Sequence, residues 1–306
     1  MARLCRLLLQ VLELHGGRAG AGMTRTLWTR WWPFVLLLLA GASRWMLAAA
    51  RPEAESSAES QAAGCAWAAL VCVALVLHPR TVRGGWREFW YAALGGALLL
   101  CGPAAAELVR ANRVEASGLM MALALTPVVV ALAGRMDEVA GRLWPGLAAV
   151  AGLMLVLAQP SLGDARSDVA LCLAPVLSGC GAALLCSERA ESVWRMPAAL
   201  AGAALVFAMS WGVSAWQASA MARPSMLATA CDGVLALLGL LVLARLGAVR
   251  WSAQFALLPL LVLAQGIMIL RPPLTLRWGT GILLLTVGGV YLLLPQEEEN
   301  GTSLGF

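Results

Sequence analysis

The chain has 306 residues, of which 60% are hydrophobic and 13% charged, against roughly 45–50% and about 25% in soluble domains. A water-soluble globule of this size needs a polar coat that such a composition cannot supply, which excludes the ordinary soluble classes and predicts an all-α integral membrane protein. The net charge of +5 does not signal nucleic acid, because the arginines sit in short gaps between apolar runs and form no basic stripe.

Residues 1–30 carry Arg3, Arg6, Arg18, Arg25 and Arg30 and read as a cytoplasmic N-terminal segment. The apolar run at 7–12 is too short for a signal-peptide core and no small-residue cleavage site follows it. Gly16–Gly22 reads as a break. Met23 reads as an alternative start that would make 1–22 dispensable; the other reading is a short amphipathic helix on the membrane surface.

Ten apolar segments follow at 34–50, 62–77, 89–109, 116–134, 143–159, 169–186, 196–214, 226–244, 253–270 and 278–294. Each is near the roughly 20 residues that span about 30 Å of hydrocarbon. Arg-Pro, His-Pro and Pro-Pro pairs punctuate the gaps. Open strands could not satisfy their backbone groups in lipid, and a barrel would alternate in polarity, so helices are expected. An acidic tail, 296–306, closes the chain on the cytoplasmic side.

Orientation follows the arginines. With the N-terminus inside, fourteen fall in cytoplasmic segments, among them Arg135, Arg142, Arg245 and Arg250, and seven in outer loops, among them Arg271 and Arg277. Both termini are expected in the cytoplasm, in the plasma (inner) membrane. Trp31, Trp32, Trp86, Trp144, Trp194, Trp251 and Trp278 stand at span ends, as interfacial anchors do.

No lysine occurs among the 22 basic residues, which removes a Walker A site and Schiff-base chemistry. Eight cysteines form no C-x-x-C pair, so neither zinc nor a disulfide framework is expected. His15 and His78 lie outside the spans, which argues against a histidine metal site or a Ser-His hydrolase in the membrane. No cofactor and no enzymatic activity are expected.

Sliding the chain against itself gives a match at an offset of 132, laying Leu125, Pro127 and Gly134 over Leu257, Pro259 and Gly266, with Arg113 over Arg245. The copies are the fourth and ninth spans. Five crossings separate them, so the second is upside down, as in the inverted repeats of many secondary transporters. The expected organisation is a first five-helix repeat at 31–160 and a second at 165–295. Pro127 and Pro259, each lacking a backbone N–H, are candidate helix hinges.

Ala111-Asn-Arg113-Val-Glu-Ala116-Ser117 leading into Leu125-Thr-Pro127, the counterpart ending in Pro259, and the closing Trp278-Gly-Thr-Gly segment together resemble the EamA-like branch of the drug/metabolite transporter superfamily. The resemblance covers roughly 34–295. Where that family often has Trp-Gly, this chain has Ala40-Gly41 and Cys180-Gly181. The resemblance implies ten helices in two inverted five-helix repeats, a central cavity, and secondary transport of a small organic metabolite or drug by alternating access.

A charge inside a span costs roughly 2.5–3.5 kcal/mol at the helix centre, which makes it a functional candidate. Asp232, Arg44 and Glu107 are such residues; the carboxylates are expected to bind a cationic group or a proton, and Arg44 a carboxylate. Snorkelling of Arg44 and interfacial placement of the acids are the bland alternatives. Gln217 and Gln265 are candidate hydrogen-bonding groups for solute, with helix–helix glue as their alternative. The expected partners are a small-molecule solute and the bilayer, a homodimer being compatible with this reading. The rival reading is a non-transporting membrane scaffold or subunit.

Overall fold

The computed structural model describes residues 31–44, 58–76, 85–110, 121–133, 136–157, 165–186, 195–217, 225–270 and 275–294. These form an all-α structure without a strand among the described residues. In chain order the helices are α1 (31–44), α2 (Ala58–Val76), α3 (Trp86–Arg110), α4 (Thr126–Leu132), α5 (Met136–Val156), α6 (Ala165–Leu185), α7 (Arg195–Gln217), α8 (Met226–Ser252), α9 (Gln254–Leu270) and α10 (Leu276–Leu293).

Local chemistry sets several of the starts. Ser225 accepts a hydrogen bond from Ala228 N at 3.1 Å and Thr275 one from Trp278 N at 3.4 Å, capping α8 and α10. At α3 the Gly85 N–H donates to Glu88 Oε2 at 3.3 Å, the back-half of a capping box. The C-terminus of α5 is capped from a distance. Arg277, at the start of α10, donates through Nε to Leu155 O at 2.8 Å and through Nη2 to Leu157 O at 3.3 Å, a cation placed where the helix dipole is negative.

Two expected spans have a different shape. The fourth, expected as one helix over 116–134, turns at Ala124–Leu125 before α4 begins. Pro127 cannot donate to Leu123 O and its ring crowds that carbonyl, so the helix breaks just upstream and Pro127 falls in the first turn of α4. The gap expected between the eighth and ninth spans is instead helical. α8 continues to Ser252 across Gly247, whose φ of 80° and ψ of 171° interrupt the helix; only glycine adopts that backbone without a Cβ penalty. Arg245 and Arg250 flank the elbow and lie over the Trp32 and Trp31 rings of α1, 5.7 and 6.0 Å from the centroids. That geometry is a cation–π contact.

Packing is dominated by α3 against α6 and α7, α5 against α10, and α2 against α7 and α8, with α4 on α5 and α6 and α9 on α10. These contacts bring backbone onto backbone. A Cβ at Gly202 would collide with the carbonyl of Ala93, and one at Gly96 with that of Ala199, locking α3 to α7. Gly152 meets Gly281 O and Leu285 N at 2.7 Å, and Gly288 meets Pro145 O at 2.6 Å, measured to an added Cβ. Because the α5 numbers rise as the α10 numbers fall, α5 and α10 are antiparallel. Small residues allow such approach, and dispersion between the backbones is the return.

Buried leucines and alanines fill one large cluster spanning α1–α4 and α6–α8, and a smaller one joins α5, α9, α10 and Ala124. The outer faces are equally apolar: Leu70, Leu205 and Leu283 are 60%, 61% and 63% exposed. Among the described residues α8 and α10 are long and apolar enough to cross a membrane by length and composition, and shorter apolar stretches run through 121–132, 143–156, 172–185, 195–210 and 254–268.

Gly202→Ala is expected to lower stability by about 1–3 kcal/mol through overpacking against α3. Gly212→Ala, where an added Cβ meets nothing within 4 Å, is expected to stay within about 0.5 kcal/mol. Thermal unfolding of the two purified variants measures the difference.

Candidate functional site

Three helix ends meet around one carboxylate. Asp232 stands in the second turn of α8, Ser60 in the first turn of α2, and Arg44 at the end of the described part of α1. The meeting is set by Gly64 and Gly233. A Cβ on Gly64 would lie 2.6 Å from Gly233 N and from Thr229 O, and one on Gly233 would lie 2.7 Å from Gly64 O. With both side chains absent, α2 and α8 touch, and the residues next to the contact face each other.

Ser60 Oγ donates to Asp232 Oδ2 at 2.6 Å, and Arg44 Nε lies 3.4 Å from Asp232 Oδ1. Each carboxylate oxygen thus has its own partner. The Arg44 and Asp232 side chains are only 9% and 8% exposed, and Ser60 is fully buried. Removing two ions from water costs several kcal/mol each, and their attraction offsets this only where further hydrogen bonds complete the shell; Ser60 supplies one. Cys65, one turn along α2, lies within electrostatic reach of Asp232.

The structure brings together Asp232 and Arg44, two residues expected to act on solute separately, and it pairs them with each other. Arg44 does not run outward to solvent. Glu107 and Gln217 lie on the helical backbone of α3 and α7, but their side chains are outside the described residues. Gln265 lies on α9 with its Oε1 buried and without a hydrogen-bond partner among the described residues. Pro259 sits inside α9, while Pro127 occupies the first turn of α4.

Sequence reading missed Ser60, because a serine three residues into a helix looks like any interfacial serine. The signal that could have found it is the pair of glycines: Gly64 lies one turn after Ser60, and Gly233 adjoins Asp232. Among the described residues no cluster of His, Cys, Asp and Glu could hold a metal ion. The arrangement provides a charge pair that a competing ion, a proton or a helix movement can open. Comparison of the chain with family models and with curated proteins finds no match in either.

Removing one charge strands the other. Arg44→Leu and Asp232→Leu are each expected to cost about 3–5 kcal/mol, whereas the double variant is expected to regain most of that loss. A double-mutant cycle on unfolding midpoints measures it; additive losses would show that the two side chains do not interact.

Proposed function

We propose that the chain is a multi-pass membrane carrier of the EamA-like kind, in which two inverted five-helix halves move a small organic solute by alternating access without nucleotide hydrolysis. The observation that carries this reading is the pattern of packed helices. Exchanging each helix for the one five places later turns α3–α7 into α8–α2, α4–α5 into α9–α10, and α3–α6 into α8–α1, all of which are packed pairs. It turns α4–α6, joined at Gly179 against Val129, into α9–α1, joined at Gly41 against Leu258. The pairs α5–α10 and α2–α7 map onto themselves. That is the contact pattern of two similar halves about a shared axis.

The close-approach glycines follow the same rule. Gly41, Gly64 and Gly95 recur 138 residues later as Gly179, Gly202 and Gly233, a spacing that adds to the offset of 132 linking Pro127 to Pro259. An odd number of crossings between equivalent helices makes the halves inverted.

The apolar exterior supports a bilayer setting. A soluble monomer rarely shows contiguous apolar patches beyond a few hundred Å², whereas here outward leucines, valines and methionines recur along almost every helix. The ends sort by charge as well. Arg245 and Arg250 meet the start of α1, and Ala248 and Arg195 both contact Cys186. This end therefore gathers arginines that the cytoplasmic assignment requires. Arg277 lies at the far end of α5 from Met136.

Rocking of the two halves would tilt helices across the α1–α8 seam. The buried Arg44–Asp232 pair, at the end of that seam opposite the tryptophans, would close one face of the carrier, and its opening would admit solute or a proton. The solute is a small organic molecule reaching a site between the halves.

Two measurements test the reading. In a chain freed of its native cysteines, Arg142→Cys and Arg277→Cys are expected to react with an impermeant maleimide from opposite sides of the membrane; labelling from one side would sink the inverted arrangement. The purified protein in proteoliposomes is expected to release a preloaded solute faster than protein-free vesicles. A folded protein that moves no member of a panel of amino acids, nucleosides, sugars and amines would point to a non-transporting subunit.

A further inference from the structure

Five polar or charged residues are buried among the described residues: Arg44, Ser60, Thr126, Ser178 and Ser252. Arg44 and Ser60 serve Asp232, Ser178 donates to Leu99 O at 3.0 Å, and Ser252 donates to Val249 O at 2.6 Å. Thr126 is the exception. Its Oγ1 is buried without a hydrogen-bond partner in a residue with no exposed surface. Helical threonines usually return the hydroxyl to a carbonyl one turn back, as Thr280 does to Leu276 O and Thr286 to Ile282 O. Thr126 cannot do so in the same way, because the break at Ala124–Leu125 has displaced that turn and Ala122 O already accepts from Leu125 N.

Trp251 repeats the anomaly. It is 3% exposed, its ring packs edge-on to Phe255 at 5.2 Å, and its indole N–H has no partner. The Gly247 elbow folds this residue back so that Nε1 lies 4.0 Å from where a Cβ on Gly239 would be. Ala124, two residues before Thr126, shares a buried cluster with Ala256 of α9, and Val130, one turn after Thr126, shares the other cluster with Trp251. α4 also packs on α8. Gln265 on α9 adds an amide oxygen, buried and likewise without a partner. A buried polar atom left unsatisfied costs about 1–3 kcal/mol, and natural proteins leave few of them.

We infer that Thr126, Trp251 and Gln265 are the hydrogen-bonding groups of a solute site between α4 and the α8–α9 elbow, and that its ligand is an uncharged polar molecule. All three groups are neutral, and among the described residues the buried charges Arg44 and Asp232 are already committed to each other. The indole N–H demands an acceptor on the ligand, the glutamine oxygen demands a donor, and the threonine hydroxyl takes either. Amide- or hydroxyl-bearing neutral solutes meet this description; amines and carboxylates would enter without a counter-charge, which is strongly unfavourable away from water. The inference rests on the carrier reading and names the substrate class of that carrier.

The test is ligand-induced thermal stabilisation of the detergent-purified full chain by uridine, xylitol and nicotinamide as neutral probes, putrescine as a cation and succinate as an anion. At least one neutral probe is expected to raise Tm and the charged probes to leave it unchanged. Thr126→Val and Trp251→Phe are each expected to weaken that neutral ligand at least about tenfold, the equivalent of one hydrogen bond. Thr126→Val is further expected to keep or raise the Tm of the ligand-free protein, since it removes an unsatisfied hydroxyl; a structural threonine would lower it. Stabilisation by charged probes alone, by none, or equally in wild type and both variants overturns the site. If vesicle release persists in any of those cases, the carrier reading survives the loss of this site; if release is also absent, both fall.

Discussion

Helix backbones that touch are the constraint from which the rest follows. Each principal seam is built where a glycine faces a glycine or an alanine: Gly96 on Ala199, Gly202 on Ala93, Gly64 on Gly233, and Gly152 on Gly281. A helix with side chains on all faces holds its neighbour 8–10 Å away, axis to axis. Removing the Cβ at a crossing brings the axes closer and leaves almost no room to slide. The polar cluster depends on this, because Ser60 reaches Asp232 only where Gly64 and Gly233 let α2 and α8 meet. The elbow depends on glycine in another way, through the positive φ at Gly247.

The same constraint explains an asymmetry between the halves. α3 meets α6 through Gly95, Gly181 and Leu185, with Ser178 bonded to Leu99 O. The corresponding seam, α8 against α1, is made by a buried ion pair at one end and two cation–π contacts at the other. A seam of small residues is held by many weak contacts and resists opening along its whole length. A seam held by charges at its ends opens when one of them is neutralised or rehydrated. In a two-half carrier that difference makes the α1–α8 seam the natural place for movement, and it locates Asp232 and Arg44 in a gate rather than in a binding pocket. The orphaned groups near the elbow carry the complementary role.

Much of the architecture was legible before any coordinates. Ten apolar runs appear as ten helices with boundaries shifted by a few residues, because a run of about 20 apolar residues without strand alternation has one stable backbone solution away from water. The proline–glycine match at an offset of 132 marked the two broken elements, although it did not tell which side of each proline the chain would bend. Pro127 moved its break upstream and became a first-turn residue, whereas Pro259 remained inside α9. Asp232 and Arg44 were legible as costly charges in apolar surroundings, but nothing local to either one named the other.

Composition and hydrophobic run length, properties of single segments, determined that the chain is helical and where its helices lie. Partnership was decided by the tertiary structure: that Asp232 binds Arg44 and Ser60 across separations of 188 and 172 residues, that the expected loop at 245–252 is a helical elbow, and that Thr126 and Trp251 are buried without partners. The physical reason is that burial energy accumulates along one segment and can be read there, whereas a hydrogen bond or ion pair exists only between two segments. Which two meet is set by where backbones can approach, and that depends on every other crossing in the bundle.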